Sequence, residues 1–232
     1  MLVQIDAAQL EWRVAAFLSN DEVAIKEIND GIDFHTENQK TFSLPSRLIA
    51  KIYLFRTIFR GSGWAFANDP DFSGVSNDPD YWDQVNEKFY NKYKGLDRWH
   101  TKLGQLVASG KPIVSPFGRE WLIPLRENGT IPWTVLSNYP VQGTAADLMM
   151  IGRISLFNRM KKLSMKSLLV STVHDSIVLD CPKSEVKEVS RLTISVFNDI
   201  PKNVKKLFGI TLPIPFPGEV KVGHNLKEME EL

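Results

Sequence analysis

At 232 residues, with 43% hydrophobic and 24% charged content, the chain is long enough to bury a substantial core and has the composition of an ordinary globular protein. A single cysteine, Cys181, excludes an intramolecular disulfide framework and, with no Cys or His at ligand spacing beside it, argues against structural zinc. The formal net charge of +1 is low for a chain that grips nucleic acid unaided, and the absence of a leader-type or membrane-length apolar run predicts a cytoplasmic protein with no membrane partner.

Strand-forming residues 2–5 lead into Asp6. Leu10, Val14, Phe17 and Leu18 keep helical spacing over 9–18, and Ser19-Asn20-Asp21 reads as a stop followed by a new N-cap. Asp33 is placed to cap a short helix carrying His35. Ser43 and Pro45 mark the start of a long helix through Phe59 that Gly61 ends, and residues 62–78 read as an irregular loop. Asp78-Pro79 opens a helix to about residue 93, Gly95 breaks it, and a second helix follows over 96–109. A hairpin is expected over 113–115 and 120–123, around Pro116-Phe117-Gly118. The longest helix is predicted over 143–163. Its Leu148, Met149, Ile151, Ile154, Leu156 and Phe157 surround much of the circumference and predict burial on several sides. A hairpin over 168–173 and 177–181 carries His174-Asp175-Ser176 at its tip. A helix over 184–197 and a strand over 219–222 complete an α+β pattern with no internal repeat or long linker. The basic runs at 159–166 and 202–206 and the acidic residues 228–231 read as solvated faces.

Asp6 and Asp175 lie far apart in sequence, each at the end of a short β-type run. Two surface carboxylates need have nothing to do with each other. Strands that pair in one sheet, however, would bring these two together to bridge divalent ions, and Mg²⁺ suits a site with few carboxylates that leaves room for phosphate and water. Backbone oxygen at Ala7 is a further donor candidate. Arg47, Lys51, Phe55 and Phe59 recur every four residues, so one helix face presents guanidinium, ammonium and two rings, a pattern suited to a polyphosphate carrying a flat base. The structural alternative is an amphipathic helix with two solvated cations and two core aromatics. Together the two constellations read as a nucleotidyl-transfer site.

These residues carry a resemblance. Asp6-Ala7-Ala8-Gln9-Leu10-Glu11-Trp12-Arg13 resembles motif A of the family A DNA polymerases; Arg47, Lys51, Phe55 and Phe59 resemble motif B, and Val173-His174-Asp175 motif C. Further matches are Gly31-Ile32-Asp33-Phe34-His35, Phe117-Gly118-Arg119, the segment around Gln142-Gly143-Thr144-Ala145-Ala146-Asp147 and Val220-Lys221-Val222-Gly223-His224-Asn225. The resemblance implies a right-hand polymerase fold: palm over 1–36 and 111–232 with an antiparallel sheet, and helical fingers over 37–110. It implies two Mg²⁺ ions held by Asp6, Ala7 and Asp175, with Lys51 as proton donor to pyrophosphate. Gln9, Glu11, His35, Arg47, Lys51, Phe55 and Phe59 would contact the dNTP, Glu11 filling the space of a ribose 2′-hydroxyl. Arg13, Asn138, Gln142 and His174 would face primer and template.

The chain departs from the family pattern at four points. Ser176 stands where a carboxylate usually follows the motif C aspartate, Thr134 where an arginine is usual, Glu120-Trp121 where further basic residues usually follow Arg119, and Phe59 where tyrosine is usual. In the family a thumb precedes motif A, whereas in this sequence motif A follows directly after Met1. That predicts the C-terminal part of a split or truncated polymerase, a split one being partnered by a separate N-terminal chain that carries the thumb and any 3′ to 5′ exonuclease; a phage-encoded chain would work in the host cytoplasm. Two other functions stay open: a single-subunit RNA polymerase, disfavoured by Glu11 and Phe55, and an inactive DNA-binding assembly subunit.

Overall fold

The structure, a computed structural model, describes residues 1–231. In chain order its elements are β1 (Leu2–Ala7), α1 (Leu10–Ser19), α2 (Glu22–Asn29), α3 (Phe34–Thr41), α4 (Arg47–Ile58), α5 (Gly63–Ala67), a 3-10 turn (Pro70–Phe72), α6 (Pro79–Lys92) and α7 (Lys94–Ala108). There follow β2 (Ile113–Val114), β3 (Glu120–Trp121), α8 (Trp133–Lys162), β4 (Leu168–Val173), β5 (Ser176–Asp180), α9 (Val186–Asn198), α10 (Ile200–Phe208), β6 (Gly218–Gly223) and β7 (Met229–Glu231). The α+β pattern expected from the sequence is the one observed. The described chain divides into two compact units, residues 1–11 with 143–231, and residues 12–142.

The first unit is built on an antiparallel sheet in the order β4-β5-β1-β6-β7. Along β1, Val3, Ile5 and Ala7 are buried on one face, against which α9 packs, while Gln4 and Asp6 occupy the other. Asp6 is thus inside the strand rather than beyond its end. Gly218 of β6 leaves room for Ile5 and Phe197: a Cβ there would lie 2.5 Å from Ile5 Cδ1 and 3.0 Å from Phe197 Cδ1.

Several sequence expectations need correction. The longest helix begins ten residues before the predicted position 143, at Trp133, and runs through Pro140, because buried Leu136, Pro140 and Val141 hold the turn that proline weakens. Nor is that helix buried on several sides: Leu148, Met149 and Leu156 are, but Met150, Ile154 and Phe157 form an exposed row. Helix α10 and strand β7 were not foreseen. Pro201 and the glutamates of 228–231 hid them, although proline at the first turn is compatible with a helix.

The second unit is held by an aromatic core. Tyr53, Phe66, Phe72, Trp82, Phe89 and Tyr93 are fully buried, and adjacent rings lie 4.8 Å (Phe72–Trp82) to 6.0 Å (Tyr53–Trp82) apart. This core explains why 62–78 is not the predicted loop. Ser62 accepts the Ala65 N–H to start α5, and burial of Phe66 and Phe72 keeps a segment of poor helix formers folded. Helix α4 is capped by Ser46, whose hydroxyl accepts the Ile49 N–H, not by Ser43; Pro45 precedes the cap. The break between α6 and α7 falls at Tyr93 (ψ 67°), and Gly95 is the second residue of α7 rather than a breaker.

Gly95 is required for close approach. Buried Asp21, which caps α2 through the Ala24 N–H as expected, also accepts the Gly95 N–H at 2.6 Å and the Leu96 N–H at 3.2 Å. A Cβ on Gly95 would lie 2.6 Å from the Asp21 Cα. Alanine normally favours a helix over glycine by about 1 kcal/mol, whereas overpacking against backbone costs about 1–3 kcal/mol. Gly95→Ala is therefore expected to destabilise the protein by up to about 2 kcal/mol in urea denaturation, and a gain in stability would contradict this packing.

Candidate functional site

The acid pair arises from strand register. β1 pairs antiparallel with β5 so that Asp6 stands opposite Ser176, one residue beyond Asp175, and the Ala7 N–H donates to the Asp175 carbonyl at 2.9 Å. Asp6 and Asp175 are therefore backbone neighbours on adjacent segments of one sheet. Asp6 is half-buried and Asp175 exposed. Gln4, on the same face as Asp6 two residues earlier, donates its Nε2–H to both carboxylate oxygens at 3.1 Å. The sequence reading missed Gln4, although the strand's two-residue alternation was the signal. Ser176 is buried and its hydroxyl donates to the Val173 carbonyl at 2.9 Å, so it ties the hairpin rather than facing outward.

Two non-glycine residues with positive φ flank this pair: Gln9 (φ 53°), between β1 and α1, and His174 (φ 53°), first of the two loop residues of the β4–β5 hairpin. Both are exposed. Positive φ at the first loop residue, and not at the second, follows the sign pattern of a type II′ turn, a position glycine normally takes. Two carboxylates and a backbone carbonyl are hard oxygen donors of the kind Mg²⁺ accepts. Among the described residues, no cluster of three or more His, Cys, Asp or Glu forms a metal cage.

A second group forms on α3 and α4. Asp33 caps α3 by accepting the His35 and Thr36 N–H groups, as expected, and its carboxylate also takes a bidentate contact from Arg47, with Nε at 2.8 Å and Nη2 at 3.1 Å. The Arg47 hydrogen bond, with Thr36 assisting, holds the Asp33 carboxyl well below the usual carboxylate range and raises Arg47 further. Arg47 and Lys51 are exposed, with Lys51 Nζ 6.0 Å from the centre of the Phe55 ring; Phe55 and Phe59 are only half-buried, so neither is a core aromatic. The His35 ring lies 6.3 Å from that of Phe55. Phe59 closes α4 as its C-cap, about 18 Å along the axis from Arg47. The Asp33–Arg47 clamp was not read from the sequence, where Asp33 showed only as a cap.

The remaining candidates are more dispersed. Glu11 is half-buried in α1; Arg13 is buried, which lowers its pKa. Asn138 (half-buried) and Gln142 (exposed) lie one turn apart on α8 and so share a face.

The family model for DNA polymerase family A matches residues 1–228, and the chain belongs to that family. The thermostable DNA polymerase I of Thermus aquaticus is 27% identical over 236 residues, a match covering 96% of this chain and 26% of that protein. DNA polymerase I of Chloroflexus aurantiacus is 25% identical over 242 residues, covering 99% and 24%. The chain thus spans about a quarter of the length of these curated relatives. A solved structure described as the POL domain of Pol1 from M. smegmatis, in complex with DNA primer-template and dNTP, superposes with a TM-score of 0.79 at 20% identity. It covers 97% of this chain and 39% of that one, and shows that the fold is shared. Among the described residues no helix is long and apolar enough to cross a membrane.

His35 offers a test of the second group. Burial, and then the positive charges of Arg47 and Lys51, lower its pKa from 6.5 to about 4 against a smaller opposing pull from Asp33. The folded state therefore resists the proton that the unfolded chain accepts. Stability is full above pH 6.5 and is lost as pH falls toward 4, by up to about 1.4 kcal/mol per pH unit for this group. Buried His100, lowered to about 3, adds to the same slope. NMR titration should give a His35 midpoint near 4, and His35→Gln should flatten the acid limb of stability measured in urea; a midpoint near 6.5 would contradict the placement.

Proposed function

We propose that this chain is the catalytic portion of a DNA-directed DNA polymerase that transfers dNMP from a dNTP to a primer 3′-hydroxyl. The observation that carries the reading is the adjacency of Asp6 and Asp175 on neighbouring strands of a family A chain. Asp6, Asp175 and the Ala7 carbonyl would hold two Mg²⁺ ions. Such ions, when bound, supply charge neutralisation at the transferred phosphate and an acidified attacking hydroxyl.

The chain's own side chains would do the rest. Arg47, Lys51 and a neutral His35 would bind the triphosphate, exposed Lys51 delivering a proton to departing pyrophosphate. Phe55 would pack on the nucleoside, with Phe59 at the templating pocket. Glu11, supported by Gln9, would exclude a 2′-hydroxyl by occupying its space and leaving it badly paired. Arg13, Asn138, Gln142 and His174 would contact primer and template by hydrogen bonds that do not read sequence. On this assignment residues 1–36 and 111–232 serve as palm and 37–110 as fingers, working in the cytoplasm, the host's if the gene is a phage's.

We further propose that a separate thumb-bearing chain, which would also carry any exonuclease, completes the enzyme. Two features support a polypeptide partner. The edge strand β4 exposes Leu168, Val170 and Val173, and α8, whose Arg153 reaches Thr172 of β4 at 3.5 Å, exposes Met150, Ile154 and Phe157. The net charge of +1 is also small for a chain that must clasp duplex DNA alone.

Primer extension with dNTPs, with and without an N-terminal polymerase portion supplied as a second chain, tests both levels. Extension is expected to need the second chain and to fall by about three orders of magnitude or more in Asp6→Asn or Asp175→Asn, with DNA binding kept. Glu11→Ala should raise ribonucleotide use. Extension unchanged in the aspartate variants, or a preference for rNTPs in the unaltered protein, would remove the reading.

A further inference from the structure

Asp33 belongs to neither of the nucleotide-contacting sets named above, yet it touches both α3, which carries His35, and α4, which carries Arg47. One carboxylate oxygen, Oδ1, accepts the N–H groups of His35 and Thr36 and thereby fixes the first turn of α3, while Oδ2 accepts the Thr36 hydroxyl at 2.8 Å. The same two oxygens engage the Nε and Nη2 edge of Arg47. A guanidinium has five N–H donors in a rigid plane, so a carboxylate on one edge determines where the other points and leaves Nη1 free for a second oxyanion.

We propose that Asp33 is a positioning residue for triphosphate binding, aiming the free edge of Arg47 toward the phosphates while holding His35 in the same frame. The proposal rests on the polymerase reading and adds a residue to it. A carboxylate beside a polyanion carries a Coulomb cost. That cost is small here, because both groups are about half exposed and salt-screened and because the Asp33 charge is already matched by the guanidinium. Ordering a long arginine side chain is the larger requirement, and the clamp meets it before the nucleotide arrives.

Asparagine separates the two roles of Asp33, since it remains a good N-cap but cannot hold a guanidinium by charge. The measurement is the dissociation constant of the full chain, with the N-terminal polymerase portion supplied as a second chain, for a fluorescent dATP analogue with Mg²⁺ and primer-template, in the unaltered protein, Asp33→Asn, Arg47→Ala and the double variant. Thermal melts confirm folding, and Asp33→Ser serves as a second cap-retaining variant. Asp33→Asn is expected to weaken binding about tenfold. The double variant should bind no more weakly than Arg47→Ala alone, because Asp33 acts through that arginine. Where extension is measurable, the loss should fall in KM with kcat held. Unchanged or tighter binding in Asp33→Asn, or additive losses in the double variant, would overturn the role. Failure of the unaltered chain to bind the analogue would overturn the polymerase reading and this role together.

Discussion

Pairing of β1 on both sides is the constraint on which the acid pair depends. With β5 on one edge and β6 on the other, β1 has no freedom to slide, and burial of Val3, Ile5 and Ala7 against α9 sets its register. A one-residue slip would turn those side chains outward and carry Asp6 to the core face, so hydrophobic burial also selects the direction of the carboxylate. The β4–β5 hairpin sets the second acid in the same way. Its two-residue loop delivers Asp175 to the end of β5, where the Ala7 N–H meets its carbonyl. Chemistry that needs two acids from distant parts of a chain is thus made local by an antiparallel ladder.

An analogous constraint acts in the helical unit, through buried polar groups. Lys92 pairs with Glu27 at 2.8 Å, both largely buried, and the Asn38 side-chain carbonyl accepts from Lys92 at 2.8 Å. The Tyr93 hydroxyl sits between Glu27 Oε2 and Asn38 Oδ1, 2.8 and 2.9 Å away, its ionisation suppressed by burial and by the Glu27 charge. Desolvating an ion pair costs as much as its attraction returns, so the value of this network is directional rather than energetic. It ties α2, α3 and α6 at one point and holds α3 where its Asp33 and His35 meet Arg47 and Phe55 of α4.

Much of this was legible in the sequence, for reasons that differ by element. Caps announce themselves locally, and Asp21 and Asp33 were read correctly as N-caps because an acid before a helical period has few other uses. What was missed depends on tertiary packing. Gly95 looks like a breaker by propensity, but its missing side chain admits Asp21 from a helix more than seventy positions away. Residues 62–78 lack helical composition, and only the Trp82 cluster makes α5 worthwhile. At the candidate site, residue types and spacing singled out the two carboxylates that the ladder makes neighbours, and the α4 stripe. The second function of Asp33 and the support Gln4 gives to Asp6 required knowing which chain segments meet.

Backbone strain is also present beside the acid pair. Among the described residues six non-glycine residues have positive φ, and Asn20, Ser43, Arg60 and Ser164 follow helix ends, where a left-handed residue commonly terminates the helix. Gln9 and His174 do not. They occupy the two turns that bracket Asp6 and Asp175, positions where glycine would be unstrained and where each side chain costs on the order of 1–3 kcal/mol of backbone strain. Both turns are exposed, so packing does not demand these side chains. Glutamine and histidine there fit the dNTP and primer-template contacts proposed for them above. The two strained turns therefore mark the same end of the sheet as the carboxylates, by an observation independent of charge and of family membership.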